Sequence, residues 1–418
     1  MSGGKPCCHF CGAALSDTFV DLGETPLANS YLSEADLAKP EPRYPLHARV
    51  CRSCLLVQVD SVVPAEEIFS DYAYFSSYSE SWVAHARAYA RMAARRFRLG
   101  PDSLVAEVAS NDGYLLKHFV AAGVPVLGIE PAANVARVAE EAGVRTEVAF
   151  FGGETARRLK GEGFAADLMA ANNVLAHVPD LNAFVAGFPV LLKPDGVVTF
   201  EFPHLLNLMN EVQFDTIYHE HFSYLSLLVV EKIMAAHGMR VFDVEELPTH
   251  GGSLRVYVCH AGCAAHEEGA GLAIVRAKER KAALQRIETY AGFEPRVRAV
   301  RAALLDFLGT AKAEGKVVAA YGAAAKGNTL LNYCGIGPEL IPFVVDRSPA
   351  KQGRYMPGSR IPIFAPDSIA RERPDYVLIL PWNLRDEIMS EMSHVRDWGG
   401  RFVTAVPTLR VLEAAGTA

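Results

Sequence analysis

Two stretches of this chain repeat one rhythm: a short apolar run, a small-residue turn, a helical stretch. That rhythm restricts the fold more than any other feature. In the first stretch Leu104–Ala109, Val126–Glu130, Asp167–Ala171 and Val197–Phe202 are the apolar runs, separated by helical segments such as Asn134–Ala142. Runs without polar alternation suit strands buried on both faces, so they predict a parallel sheet with helices packed on either side. Val241–Val244 and Leu254–Cys259 add a late antiparallel portion. The second stretch has strand candidates at Val317–Tyr321, Phe343–Asp346, Tyr376–Pro381 and Phe402–Val406, and predicts a second doubly wound layer. Between the two, Gly271–Lys312 reads as a long helical region joining domains. Ahead of the first lies a helix over Ser79–Leu99, with Trp82, Ala86, Tyr89, Ala93 and Phe97 at spacings of three and four.

At 418 residues the chain has room for two or three domains of roughly 100–200 residues each. A formal charge of -7 argues against a nucleic-acid or polybasic membrane surface and leaves a small-molecule partner. No apolar run is long enough to span a bilayer, and no signal-peptide pattern opens the chain, so a cytoplasmic enzyme is expected; a monomer is the default expectation, which no sequence feature fixes.

Eight cysteines are present, and five fall within the first 54 residues. Cys8-x2-Cys11 and Cys51-x2-Cys54 are two knuckles, each able to aim two thiolates at one tetrahedral ion. Redox dithiols and buried free thiols are the alternatives, and Cys7 competes with Cys8. Four sulfur ligands would close the coordination sphere, so zinc here is expected to hold structure and do no chemistry.

The run ending Glu107-Val108-Ala109-Ser110-Asn111-Asp112-Gly113 passes from strand to turn at the carboxyl edge of the first sheet, where open α/β sheets bind ligands. It lacks G-x-G-x-x-G, which disfavours a dinucleotide. Glu107, Ala109, Asn111 and Gly113 are the candidate cofactor contacts there. Glu130, ending the next strand, is placed to accept both hydroxyls of a ribose. Asn172 and Asn173 follow the third run as further candidate contacts, and Leu191-Leu192-Lys193-Pro194-Asp195-Gly196-Val197 is helix, turn and strand. The first turn, the acid Glu130 and this leucine-rich turn together resemble the class I methyltransferase pattern for S-adenosylmethionine.

Two clusters are rich in polar aromatic groups. Tyr72, Tyr74 and Tyr78 lie at the junction of the cysteine module and the first sheet. Tyr218-His219-Glu220-His221-Phe222-Ser223-Tyr224 gathers two imidazoles, a carboxylate and two phenols in seven positions. A histidine is suited to take a proton near neutral pH, and a phenol to donate to a developing oxyanion. Spacing alone does not tell His219 from His221, and a metal bound by that pair is disfavoured for want of a third ligand.

Taken together, the knuckles, Tyr72–Ser79, Ala109–Gly113, Asn172–His177 and Tyr218–Tyr224 resemble the sugar C-methyltransferase family of deoxysugar biosynthesis, across essentially the whole chain. The resemblance implies a class I methyltransferase Rossmann-like domain, a small amino-terminal zinc-binding module and a second, carboxyl-terminal Rossmann-like α/β domain. It implies methyl transfer from S-adenosylmethionine to C-3 of a thymidine-diphosphate-linked 4-keto-deoxysugar. On it His221 is the base, Tyr218 and Glu220 assist, and Tyr72 and His177 line the sugar pocket. The expected division is 1–68, 69–275 and 276–418.

In the second layer Tyr321-Gly322-Ala323-Ala324-Ala325-Lys326-Gly327-Asn328 is again strand, turn and helix start, a place where backbone amides attract phosphate. Lys326, Asn328, Lys351, Arg354, Tyr355 and Asn383 are the expected contacts for the substrate's nucleotide, while Tyr74, Tyr78 and Tyr224 are those for its sugar. Two alternatives compete: an oxidoreductase using this turn for NAD, which lacks the full dinucleotide fingerprint, and a non-enzymatic nucleotide-binding scaffold, which leaves Tyr218–Tyr224 unexplained.

Overall fold

The computed structural model describes residues 6–60, 76–78 and 80–412. Tyr72 and Tyr74 lie outside the described residues, and for Tyr78 only the backbone, in a 3-10 turn over Ser76–Tyr78, is described. The chain forms two compact units: residues 1–15, 51–205 and 220–286, and residues 16–50, 206–219 and 287–418.

The first unit is built on seven strands, β1 (Val105–Val108), β2 (Val126–Ile129), β3 (Thr146–Glu147), β4 (Ala166–Asn172), β5 (Leu192–Pro203), β6 (Met239–Leu247) and β7 (Ser253–His260). Their order across the sheet is β6-β7-β5-β4-β1-β2-β3. β1 to β5 run parallel, and β7 is antiparallel to both β5 and β6. Every residue of β1 is buried, as expected for an apolar run with helices on both faces. Helix α1 (Glu80–Arg96) turns Ala86, Tyr89 and Ala93 into this core, with Trp82 and Phe97 packed at its margin. β3 was not legible beforehand, because two residues carry no periodicity.

In the second unit β8 (Val318–Tyr321), β9 (Val344–Val345), β10 (Ile363–Phe364), β11 (Tyr376–Ile379), β12 (Arg401–Thr404) and β13 (Arg410–Leu412) are ordered β10-β9-β8-β11-β12-β13, all parallel except β13. Residues 16–50, which separate the two cysteine knuckles in sequence, belong to this unit. They form an antiparallel pair, Asp17–Thr25 with Tyr44–Val50. Phe19 stacks on Phe293, ring centroids 4.4 Å apart, and so fastens that pair to the helix Phe293–Ala313. That helix buries Val297, Val300, Leu304, Leu308 and Ala311, one stripe at spacings of three and four.

The region expected as one long helix is three: Ala270–Lys281, Ile287–Ala291 and Phe293–Ala313. Ala283, with φ 56°, takes a left-handed conformation that no helix continues through. Among the described residues no helix is long and apolar enough to cross a membrane.

Candidate active site

The two knuckles have the same local build. Gly12 and Leu55, each following the second cysteine of its pair, both have φ 72°, and their N–H groups donate to Cys8 O (3.0 Å) and Cys51 O (2.8 Å). The reversal turns all four thiols inward. Cys8 Sγ is 3.5 Å from Cys54 Sγ and Cys11 Sγ 3.5 Å from Cys51 Sγ, and all four sulfurs lie within 4.8 Å of one another. Cys7 is exposed and outside the group, so Cys8 is the ligand. The Cys54 thiol holds Cys8 down to about 5 and is itself pushed up. A four-sulfur, mostly buried donor set fits a closed structural zinc site.

At the carboxyl edge of β1 the turn does with strain what glycines do elsewhere. Ala109 (φ 53°), Asn111 (φ 49°) and Gly113 (φ 74°) are all left-handed. Asparagine tolerates that region, while for alanine it costs roughly 1–2 kcal/mol. At Gly113 a Cβ would meet Val144 Cγ2 at 2.9 Å, so the turn also sits too close to the loop that leads into β3 for a side chain. Glu130 braces it: its carboxylate accepts the N–H groups of Asn111 and Ala132, both at 2.9 Å. Burial pushes the Glu130 carboxyl upward against these two bonds. Glu107, 1% exposed within β1, is pushed well above the usual range by burial and then by the Glu130 charge.

Asn172 ends β4, and Asn173 (φ 55°) donates its N–H to Glu201 O at 2.7 Å. Five buried polar atoms of this edge, Glu107 Oε2, Ser110 Oγ, Asp112 Oδ1, Asn172 Oδ1 and Asn173 Nδ2, have no hydrogen-bond partner in the described structure. Buried groups without partners are costly, and so many along one sheet edge fit a polar cofactor that supplies them. Ser110 and Asp112 were missed by sequence reasoning, although both lie inside the motif turn. Also missed was Glu201, whose carboxylate accepts from His85 Nε2 (2.8 Å) and Arg255 Nε (2.7 Å). Against strong burial, the His85 bond and the Arg255 charge hold that carboxyl below its ordinary range.

In the same unit His177 meets the segment Glu220–Tyr224. Its Nδ1 lies 2.8 Å from Glu220 O. A carbonyl only accepts, so Nδ1 carries the proton and, in the neutral ring, Nε2 carries the lone pair. Burial holds the His177 imidazole down to about 4 despite that bond. It is therefore neutral near pH 7 and is no proton donor from Nε2. The His177 and His221 rings meet edge to face at 4.6 Å, and His221 faces Tyr224 at 6.3 Å. Folded-state depression means this imidazole stabilises the fold above pH 6.5, and the stabilisation, up to about 3 kcal/mol, is lost as pH falls through 4. NMR titration of the ring is expected to show the Nδ1–H tautomer and a midpoint well below 6; a midpoint near 6.5 would contradict this.

His219 is built into the second unit. Its Nε2 lies 3.1 Å from Pro45 O, its ring stands edge-on to Tyr44, and burial lowers its pKa. The structure thus separates two histidines that spacing left equivalent. Among the described residues only the four cysteines form a metal-binding group.

Also in the second unit, helix α2 (Ala325–Cys334) starts just beyond the turn after β8. Lys326 Nζ donates to Asn383 Oδ1 at 2.6 Å and lies 4.7 Å over the Trp382 ring. Lys351 Nζ donates to Ala323 O at 2.8 Å, and Asp346, following β9, accepts the Ala323 N–H at 2.8 Å. Arg354 is exposed nearby, while Tyr355 exchanges backbone bonds with Leu32. Asn328 is 1% exposed and its side chain is taken up by Asn332 inside the helix packing. Trp382 and the fully buried Asp215 beneath it carried no signal in the sequence.

The seven-strand order with one reversed strand, the strained turn after β1 and the acid after β2 define a class I S-adenosylmethionine-dependent methyltransferase, here with a four-cysteine structural zinc site. Family models match in three places: a zinc binding domain at residues 8–69, a methyltransferase domain at 82–244 and a C-methyltransferase C-terminal domain at 248–407. The C-methyltransferase NovU of Streptomyces niveus is 38% identical over 410 residues, 98% of this chain and 97% of the relative. The chain belongs to the C-methyltransferase family that these models and NovU define. Among solved structures, magnesium protoporphyrin IX methyltransferase (ChlM) from Synechocystis PCC 6803 with bound SAH is 13% identical, covering 43% of this chain and 83% of that one at a TM-score of 0.34. A S-adenosylmethionine-dependent methyltransferase from Clostridium acetobutylicum ATCC 824 is 12% identical over 42% and 91%, TM-score 0.35. Both likenesses are too slight to carry an inference.

Proposed function

We propose that this C-methyltransferase acts on C-3 of a thymidine-diphosphate-linked 4-keto-deoxysugar, with His221 as the base. The reading assigns zinc binding to segment 1–68, of which residues 16–50 pack in the second unit, the methyl donor to 69–275, of which residues 206–219 pack there too, and the substrate's nucleotide to 276–418, in a monomeric cytoplasmic enzyme. The observation that carries it is the pairing of His221 with His177, whose Nδ1 proton is held by a backbone carbonyl and whose basicity burial has removed. His177 is thereby a poor proton acceptor near neutral pH, which supports giving that role to His221.

Bound S-adenosylmethionine supplies an electrophilic methyl group, with Glu107, Ala109, Asn111, Gly113, Glu130, Asn172 and Asn173 holding the cofactor. A ketone at C-4 acidifies the C-3 hydrogen, because charge left on carbon is delocalised onto the C-4 oxygen. His221 takes that proton. Tyr218 donates to the oxygen as it becomes negative, a role in which one preorganised donor contributes roughly 3–4 kcal/mol. His177, neutral at working pH, accepts a hydrogen bond and orients its neighbour or a sugar hydroxyl; the donor role at the enolate falls to the phenol. Glu220 lends its backbone carbonyl to His177 and assists His221 through its side chain. Tyr72, Tyr74, Tyr78 and Tyr224 line the sugar, and Lys326, Lys351, Arg354, Tyr355 and Asn383 receive the nucleotide; Asn328, buried in the helix packing, is left out of that set.

In deuterated buffer without S-adenosylmethionine, the enzyme is expected to exchange the C-3 hydrogen of its substrate, read as a mass increase of the recovered sugar nucleotide. No exchange in any of a panel of 4-keto sugar nucleotides, alongside productive methylation elsewhere, would refute C-3 as the site.

A further inference from the structure

Asp215 lies in the 3-10 turn Phe214–Thr216 and is 0% exposed. One carboxylate oxygen accepts the Trp382 indole N–H at 2.7 Å; the other is buried with no hydrogen-bond partner among the described residues. Burial raises this carboxyl to about 6, partly offset by the Lys326 charge and the Trp382 bond. The same turn is tied to α2, since Thr329 Oγ1 donates to Ile217 O at 2.9 Å. Trp382 is therefore fixed at its polar edge and presents a ring face to Lys326 Nζ, which also donates to Asn383 Oδ1.

A lysine on four rotatable bonds is ordinarily a mobile point charge. Here Trp382 and Asn383 contact it directly and Asp215 fixes Trp382, in the first turn of α2, where backbone N–H groups and the helix dipole already favour an anion. An indole face attracts the ammonium without consuming its donors, so N–H groups of Lys326 stay available to a ligand oxygen.

We propose that Trp382, anchored by Asp215, is a positioning residue that holds Lys326 against the diphosphate of the substrate nucleotide. This rests on the reading above, in which the second unit receives that nucleotide. It adds two residues, Trp382 and Asp215, to the binding machinery. The buried carboxylate then serves to orient an aromatic ring rather than to touch the ligand.

The proposal is tested by calorimetric binding of thymidine diphosphate to the full-length zinc-loaded protein, with Lys326→Met, Trp382→Leu, their double variant and Trp382→Phe, each checked for zinc content and thermal melting. Lys326→Met is expected to weaken binding about 10–100-fold. Trp382→Leu is expected to approach that loss, the double variant to be no worse than Lys326→Met alone, and Trp382→Phe, which keeps a ring face, to recover most of the affinity. The salt dependence of binding should become equally shallow in Lys326→Met and Trp382→Leu, a change that loss of packing alone would not produce. Losses that simply add in the double variant, or Trp382→Leu binding as the parent does, would overturn the proposal while leaving the nucleotide reading intact. Failure of the parent protein to bind thymidine diphosphate at all would overturn both.

Discussion

Replacement of His221 by Asn is expected to lower turnover about 10²–10⁴-fold, the range one general base contributes, with S-adenosylmethionine affinity unchanged. Asparagine keeps much of the size and hydrogen bonding of the ring and removes only its basicity. Burial weakens both neighbouring histidines as bases. His177 is 4.6 Å away, but burial holds its basicity down to about 4 and its Nδ1 proton is committed to Glu220 O. His219 donates from Nε2 to Pro45 O, and burial lowers its pKa. Exchange of the C-3 hydrogen should vanish together with turnover, because both need the same proton transfer. Cofactor binding is the control, since none of the residues assigned to it lies in the reacting cluster. A variant that retained near-native turnover would place the base elsewhere.

Loss of one zinc ligand, as in Cys54→Ser, is expected to reduce bound zinc from one per chain toward none and to destabilise the protein severely, because structural zinc sites contribute on the order of 10 kcal/mol. Activity should fall further than the lost stability alone accounts for. Directly after the second knuckle, Val57–Val59 pairs with Ser223–Tyr224, and Val59 N–H donates to Phe222 O at 3.1 Å. Gln58, 1% exposed, reaches back to the first knuckle: its Oε1 accepts His9 N–H at 3.1 Å and its Nε2 donates to Cys7 O at 3.2 Å. The knuckles are thus joined through one short strand to the segment that carries His221. Metal analysis, melting temperature and kcat of Cys54→Ser against the parent check this. A variant that lost its zinc yet kept kcat at a temperature where it stays folded would show that the knuckles do not position the catalytic segment.

Much of the parallel core was legible in the amino-acid order. The runs that became β1, β2, β4 and β5 are apolar on both faces, and a strand needing cover on both sides has few folds open to it. What escaped did so for identifiable reasons. β3 and β10 are two residues each, below any periodicity. The pair Asp17–Thr25 and Tyr44–Val50 interrupts its apolar residues with Asp21, Gly23 and His47, and is stabilised by an aromatic stack to Phe293, far along the chain.

Site residues followed the same division. Glu107, Asn111, Glu130, Asn172 and Asn173 stand at strand ends or in turns, where position in sequence predicts position on the sheet edge. The His85–Glu201–Arg255 network and the Asp215–Trp382 bond link residues more than fifty positions apart, and neither has a spacing to betray it. For His219 and His221 the sequence offered two equal imidazoles. The distinction lies in what surrounds each: a hairpin carbonyl for one, a second imidazole for the other.

The most direct test of the central claim uses S-adenosylmethionine labelled with carbon-13 in its methyl group, incubated with the enzyme and a panel of thymidine-diphosphate 4-keto-deoxysugars, with the product read by NMR. The account predicts one labelled methyl bonded to carbon at C-3. A label found on oxygen, on nitrogen or on another carbon, or no transfer to any sugar of the panel, would contradict it.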